Sequence, residues 1–427
     1  VTVPSKDDLG TLVIGASQAG VQLVTTLREL GDTAPITLIG EESHRPYQRP
    51  PLSKAFLKGE VHSSELLFRS DGWWREKDIR LVIGSSVVAL ARDDRGGVAT
   101  TADGTAYPFS RLALTTGASA RRIPIPGAEL DGVCYLRDAD DSMRLASLIA
   151  DAESIAVIGG GFIGLEVAAG ARTLGKSVTV FEAAPRLVGR VVAEEMSAFY
   201  LEAHRRRGTT IILDARVAEL VGDRGRVTAV RLEDGSEIAA DVVLIGVGVI
   251  PRTDLAEQLG LEVANGIVVD RHAVASDGAT VAAGDCAIMP NPYRRGVTAP
   301  VRLESVQNAV EQARTAAASL LGIAREYYTT PWFWSDQADL KLQIAGVSTG
   351  FDRTVMRGSP EDEKFSVLYY RRGRLIAGDS VNRPLDHIAI KQAIAKDLHI
   401  DPELASDDGV VLKTLICAPP IEIAEKA

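Results

Sequence analysis

The sequence predicts an α/β protein in which one strand–turn–helix–strand unit occurs twice, followed by a strand-rich region of α+β character. Two observations lead there. "TLVIGASQAG" at 11–20 and "AVIGGGFIGLE" at 156–166 each place small residues in a turn between an apolar run and a helical pattern. A second pair, "DGTAYPFSRLALTTGA" from Asp103 and "DGSEIAADVVLIGVG" from Asp234, aligns without a gap and sets Gly117 and Gly248 fourteen residues past their Asp.

Each element follows from local chemistry. "TLVIG" is a short apolar run of the buried-strand kind. "GVQLVTTLRELG" carries Val21, Val24, Leu27 and Leu30 at helical spacing and closes on Gly31, and "ITLIGEE" is a second buried strand. "SIAVIG", "FIGLEVAAGARTLG" ending on Gly175, and "SVTVFE" repeat that grammar. The two D-G pairs signal hairpin turns, each followed by an apolar strand that ends in glycine.

Glycine at 15 and 20, and at 159, 161 and 164, allows close approach, so that a pyrophosphate can sit against backbone N–H groups at a helix N-terminus. The first copy has Ser17 at the middle position, small and itself able to donate to phosphate. An acid follows each second strand, Glu41 (or Glu42) in the first unit and Glu182 in the second, placed to accept from ribose hydroxyls. We therefore expect two Rossmann-like dinucleotide-binding domains. Two nucleotide clefts in one chain point to electrons passing from one cofactor to another.

A chain of 427 residues, 46% of them hydrophobic, has room for a sizeable core and two or three domains. With 47 Lys and Arg against 57 Asp and Glu the net charge is −10, which argues against nucleic-acid binding as the main activity. Cys134, Cys286 and Cys417 are far apart and odd in number, so neither a disulfide framework nor a metal site is expected. No apolar signal core opens the sequence. The longest apolar run, "VVLIGVGVI", falls far short of the roughly 20 residues that span a bilayer, and a soluble, cytoplasmic protein is expected.

Further along, "ESVQNAVEQARTAAASLLG" reads as a long helix with Val306, Val310, Ala313, Ala317 and Leu320 along one face. "LKLQIAGV" and "KFSVLYYRRGRLIAGDSV" read as strands, with one amphipathic helix near 386–398. In "RPPLSK" the paired prolines stiffen the loop that carries Arg49 and Lys54. There is no C-x-x-C or C-x4-C pair after the first strand region and no iron–sulfur spacing of cysteines, so electrons must leave the chain's own cofactor for another molecule.

"RPYQRPPLSKAFLKG", "TTGA", "GGGFIGLE", "VGVIPRTDLAEQLGL", "AAGDCA" and "ESVQNAVEQARTAA" occur in that order. Together, from about residue 10 to about 400, they resemble the flavin-dependent ferredoxin reductases of bacterial oxygenase systems, the putidaredoxin reductase and biphenyl dioxygenase reductase group. The resemblance implies a glutathione-reductase-like fold. Residues 7–119 and 252–328 would bind FAD, 120–251 would bind NADH, and 329–427 would form an α+β C-terminal domain. Its implied FAD-side residues are Gly15, Ser17, Ala19, Gly20, Glu41, Arg49, Lys54, Thr116, Gly117, Asp285, Glu304, Val306 and Trp334. On the NADH side they are Gly159, Gly161, Phe162, Ile163, Gly164, Glu182, Arg190 and Gly248.

Roles come with the resemblance. Lys54 would lie beside the flavin ring, ion-paired with Glu166. Asp285 would bond the ribityl or phosphate region. The helix beginning at Val306, with Glu304 close by, would point at the flavin N1 and O2 edge, where its positive end stabilises the charge that develops on reduction. Trp334, with Trp332 as neighbour, would lie near the flavin and toward the partner, and Arg190 would contact the adenosine half of NADH. A carboxylate at Glu182 accepts from a free 2′-hydroxyl and repels a 2′-phosphate, favouring NADH over NADPH, although Arg186 and Arg190 follow it closely.

The implied reaction is hydride transfer from NADH to FAD, then two single-electron transfers to a [2Fe–2S] ferredoxin. That ferredoxin would supply a Rieske dioxygenase or a haem-thiolate monooxygenase, as in aromatic hydrocarbon catabolism. Such ferredoxins are acidic, so a chain of net charge −10 needs a local basic patch, for which Arg294, Arg295, Arg302, Arg314 and Lys391 are candidates and Arg314 best matches the family position. Monomer and homodimer are both compatible. The rival expectations are a reductase of the same fold acting on rubredoxin, monodehydroascorbate or a quinone, and an interaction protein of the apoptosis-inducing-factor type that uses NADH binding as a switch.

Overall fold

Thr11–Ile14 is buried at every residue because it has neighbours on both sides and cover on both faces, which is why it reads as an unbroken apolar run. The structure, a computed structural model, describes residues 9–93, 96–293 and 299–418. Thr11–Ile14 is the middle strand of a parallel sheet ordered Val281–Ala282, Arg111–Leu114, Thr11–Ile14, Ile36–Ile39, Ile79–Val82. A second parallel sheet runs Thr210–Ile212, Ser177–Phe181, Ser154–Ile158, Val242–Ile245, Val133–Cys134.

The aligned D-G segments occupy the same place in both sheets. The strand that follows each hairpin lies beside the glycine-turn strand, with Leu12 opposite Leu112 in one and Val157 opposite Leu244 in the other. Each hairpin belongs to a three-stranded antiparallel sheet, Val87–Asp93, Gly96–Thr101 and Ala106–Phe109 in the first, Val217–Asp223, Arg226–Leu232 and Glu237–Ala239 in the second. The chain leaves the first sheet after Leu114, builds the second, and returns to the first at Val281–Ala282. Its outward and return crossings, Ala118–Ala120 and Val249–Pro251, pair antiparallel.

The helix Val306–Leu320 packs against Gln18–Glu29. Its buried face differs from the expected one. Ala309, Ala313, Ala316 and Ala317 are buried with Gln312, whereas Val306, Val310 and Leu320 are only partly covered. Two helices approach closely where the contact residues are small, so alanines rather than valines define the seam.

C-terminal to these units, Trp332–Gln337, Leu340–Gly346, Arg374–Val381, Lys364–Arg371 and Arg353–Ser359 form an antiparallel sheet in that order. A helix, Pro384–Ala395, covers one face; it starts two residues earlier than the periodicity predicts because Pro384 is suited to the first helical position. The other face packs on the central unit, with Phe365, Val367, Tyr369 and Val381 in one apolar cluster with Phe199, Tyr200 and Ala203.

Asp379 lies inside this contact. It accepts from the Tyr369 hydroxyl at 2.5 Å, and that oxygen accepts from the Ala193 amide at 2.9 Å. Burial pushes the Asp379 carboxyl up to about 7. A folded-state value above the unfolded one means that, between about pH 4 and pH 7, the folded protein keeps a proton the unfolded chain has lost. Stability from this group therefore falls as pH rises through that window and is flat above it. Asp379→Asn is expected to flatten the decline of Tm between pH 4 and pH 7 and to be more stable than the parent at pH 8, as measured by thermal unfolding across that range.

Candidate active site

One cleft of about 2130 Å³ is lined by both glycine turns and by the first strand of the C-terminal sheet. Gly15 and Gly159 open the turns with φ of +112° and +110°, a region that disfavours a side chain. Gly20 and Gly164 sit behind the cleft, where a Cβ would lie 2.0 Å from the Gly15 carbonyl and 2.2 Å from that of Gly159. They serve helix-to-turn packing, while the middle positions, Ser17 and Gly161, face the cleft.

Ser17 and Gly161 are also the N-caps of Gln18–Glu29 and Phe162–Thr173, and neither caps its helix with a side chain. The first-turn N–H groups, among Ala19 in one helix and Phe162 and Ile163 in the other, are left for the cleft. The N-terminus of Val306–Leu320 opens onto the same space, with Ser305 accepting from the Asn308 amide at 3.1 Å. Three helix N-termini around one cavity make a site for negatively charged groups, and a side chain at Gly161 would meet nothing within 4 Å, leaving room there for a ligand.

Lys54 and Glu166 meet as expected, Nζ to Oε2 at 2.7 Å. Ser53 Oγ donates to the same oxygen at 2.5 Å, and Ser335 Oγ donates to Oε1 at 2.6 Å. A carboxylate on the central unit's helix thus receives donors from the proline loop and from the C-terminal sheet. Neither serine stands out in the sequence: they lie 113 and 169 residues from Glu166, and their only signal is adjacency to Lys54 and Trp334.

Arg49 is held by Glu42 and by the Arg137 carbonyl at 2.6 Å, and its Nε reaches Ser17 Oγ at 3.2 Å. Of the two candidate acids, Glu42 takes Arg49 and the Tyr47 hydroxyl, while Glu41 pairs with Arg252 at the cleft's edge. Gly40 occupies the place that Glu182 holds in the second unit. A Cβ there would lie 2.7 Å from that of Ala16, so the first unit's acid comes one residue later. Glu182 itself accepts from the amides of Gly160 at 2.6 Å and Ala184 at 2.8 Å.

Thr116, Gly117 and Gly248 line the cleft where the crossing strands begin, and Thr116 Oγ1 donates to the Arg252 carbonyl at 2.7 Å. Arg190 lies along the cleft beside Gly248, whereas the Arg186 guanidinium is engaged by the carbonyls of Val192 and Gly189 and by Ser197. Asp285 pairs with Arg137 at 3.0 Å, a partner the sequence did not single out.

The docking candidates separate. Arg302 is turned inward, 9% exposed, bonded to Glu304 and to the Asp285 carbonyl, so it is corrected from an exposed cation to an internal one. Arg314 is paired with Glu311 on its own helix at 2.5 Å. Arg294 and Arg295 lie outside the described residues. Lys391 Nζ stands 4.7 Å from the ring centre of Trp332, which stacks on Trp334 with centroids 5.4 Å apart.

Residues 10–313 match the pyridine nucleotide-disulphide oxidoreductase family, and residues 332–416 match a reductase C-terminal family. The chain belongs to the pyridine nucleotide-disulphide oxidoreductase family. It is 42% identical over 408 residues to rhodocoxin reductase of Rhodococcus erythropolis, covering 96% of this chain and 94% of that protein. The ferredoxin reductase for the CYP199A2 system from Rhodopseudomonas palustris superposes with a TM-score of 0.91 at 42% identity, over 95% of this chain and 99% of that one. The reductase of a covalent putidaredoxin reductase–putidaredoxin complex does so with a TM-score of 0.91 at 38% identity, over 96% and 98%.

In this oxidoreductase the described cysteines form no disulfide: Cys134 and Cys286 are buried and Cys417 is exposed. No helix among the described residues is long and apolar enough to cross a membrane, and they hold no metal-binding cluster of His, Cys, Asp or Glu. Gly20→Ala and Gly164→Ala are each expected to destabilise the fold by about 1–3 kcal/mol through overpacking. Gly161→Ala is expected to leave Tm unchanged and to weaken nucleotide binding; thermal unfolding and nucleotide titration of the three variants check this.

Proposed function

We propose that this chain is an FAD-dependent NADH:ferredoxin oxidoreductase serving an oxygenase system. The observation that carries the reading is the continuity of one cleft from two glycine turns, past the buried Lys54–Glu166 pair, to the Trp332–Trp334 stack under Lys391. When bound, FAD supplies the conversion between hydride transfer from NADH and two single-electron transfers to a [2Fe–2S] protein.

The residues fit that assignment. FAD is assigned to the unit of residues 7–119 and 252–328, where the N-terminus behind Ser17 takes the pyrophosphate, Glu41 takes the ribose, and Arg49 neutralises phosphate charge. Thr116, Gly117 and Asp285 border the remainder of that cofactor. The helix that starts at Val306, next to Glu304, lends its positive end to the flavin's negative edge. NADH is assigned to residues 120–251, with its pyrophosphate over Gly161 and its adenosine ribose at Glu182. The C-terminal sheet, within the domain assigned to residues 329–427, closes the cleft through Trp332–Trp334 and Ile344 and carries the exit. Lys54, fixed by Glu166, presents a positive charge to the flavin, and Trp334 shields it from water.

Glu182 favours NADH over NADPH, and Arg186 is engaged elsewhere, although Arg190 and Arg216 also line this part of the cleft. For the partner, Leu385 and Ile388 are 75% and 54% exposed and precede Lys391 at one-turn spacing along Pro384–Ala395. This apolar stripe with a cation at its cleft end suits a small acidic ferredoxin with an apolar patch.

Purified protein is expected to be yellow, to hold FAD, and to sustain NADH-dependent reduction of cytochrome c only when a [2Fe–2S] ferredoxin is added. Protein that stays colourless after reconstitution with FAD would end this reading, and faster reduction of a rubredoxin than of any ferredoxin would reassign the partner. Glu182→Ala should narrow the NADH-over-NADPH ratio of kcat/KM by about tenfold, the loss of a hydrogen bond to a charged acceptor. Lys391→Glu and Leu385→Asp should raise KM for ferredoxin about fivefold or more while FAD content stays unchanged.

A further inference from the structure

Glu166 is joined to a second opening of the molecule by an unbroken run of hydrogen bonds. Ser335 Oγ lies 2.6 Å from Glu166 Oε1, Gln337 Nε2 lies 3.2 Å from Ser335 Oγ, and His204 Nε2 lies 2.7 Å from Gln337 Oε1. All three residues are buried, yet Gln337 and His204 also line a separate crevice of about 270 Å³ at the C-terminal end of Trp332–Gln337, the first strand of the C-terminal sheet, with Arg172, Arg207 and Thr209. Nothing in the reaction described above uses them.

The chemistry of the run gives it a direction. Burial, with the nearby Arg207 charge, holds the His204 imidazole below its ordinary range, so the ring is neutral and carries one proton. With that proton on Nε2, the imidazole donates to Gln337 Oε1, and the amide nitrogen donates to Ser335 Oγ. The single hydroxyl proton of Ser335 is then committed to Glu166. With the proton on Nδ1, the amide must turn, its oxygen draws the Ser335 proton, and two oxygen lone pairs face each other across 2.6 Å. The arrangement of His204 therefore decides whether Glu166 has its full set of donors.

We propose that His204 and Gln337 are positioning residues that act through Ser335 on Glu166, and so set how much of the Lys54 positive charge reaches the flavin. The proposal rests on FAD occupying the cleft. A carboxylate that loses a donor is less compensated, the local potential becomes more negative, and a reduced flavin, which carries added negative charge, is less favoured.

The test is the midpoint potential of the bound flavin, measured by spectroelectrochemistry on flavin-loaded full-length protein. Ser335→Ala, which removes a donor from Glu166, and His204→Phe, which frees the Gln337 amide to turn its oxygen toward Ser335, should each move it negative. His204→Gln, which keeps an N–H donor at that end, should restore most of the shift. In a Glu166→Gln background, His204→Phe should produce no further shift, because the route runs through the carboxylate. Potentials equal to that of the parent in folded variants, or a full-sized shift in the Glu166→Gln background, would overturn the proposal. Should Ser335→Ala fail to fold, the pair of His204 variants decides it in the same way. Parent protein that takes up no flavin would overturn the functional reading as well, whereas flavin-loaded variants with unmoved potentials overturn this chain alone.

Discussion

The Glu166 carboxylate is the constraint on which the rest of the arrangement depends. It belongs to a helix of the central unit, it is 3% exposed, and its donors come from the proline loop of the first unit and the first strand of the C-terminal sheet. A charge buried to this degree is tolerable only when its partners are in place, and removing one costs about 3–5 kcal/mol. Apolar contact between the three parts would permit them to slide. The carboxylate does not, because a shift of an ångström leaves it unpaired. Its contribution is orientation: it fixes where Lys54 and the Trp332–Gln337 strand stand relative to the glycine turns.

That constraint matters because the cleft is assembled from separate units rather than carved out of one. Repeating the same strand–turn–helix plan puts two helix N-termini at the carboxyl ends of two parallel sheets, where such sheets bind ligands. Pairing of the outward and return crossings brings those ends to a common space. A net charge of −10 is no obstacle to holding phosphates there. The attraction comes from backbone N–H groups at uncapped helix starts, which carry partial positive charge whatever the side chains elsewhere. Global charge speaks to solubility and encounter, and local dipoles speak to binding.

The sequence was most legible where a backbone requirement restricts residue type. Positive φ at Gly15 and Gly159 and the close contacts of Gly20 and Gly164 leave little choice but glycine, and those positions were readable as turns and as a repeat. The Lys54–Glu166 pair was reached only by family likeness, since no local pattern connects residues 112 apart. Ser53, Ser335, Gln337 and His204 were missed for the same reason: a hydrogen bond across the fold leaves no periodic trace. The face of Val306–Leu320 was misjudged because hydrophobicity favours valine over alanine, while close helix packing favours the smaller side chain. Arg302 was taken for an exposed cation, but composition does not reveal that Glu304 and the Asp285 carbonyl turn it inward.

Cysteine usage and the aromatic exit bear on the same question from opposite sides. A chain with a redox-active dithiol beside its flavin can store an electron pair and release it to a small molecule. Here Cys134 and Cys286 are buried and unpaired, so a bound flavin has no such store within the described residues. For a ferredoxin-type partner electrons leave one at a time across a surface, and the distance to that surface governs the rate. In the proposed reading the stacked rings of Trp332 and Trp334, with Lys391 beside them, form the exit. Among the described residues the lack of a thiol pair and the proposed aromatic exit would thus be two aspects of one solution. In the proposed reading a flavin free to tilt would change its distance to that exit, and the Lys54–Glu166 pair would hold the floor opposite it in place.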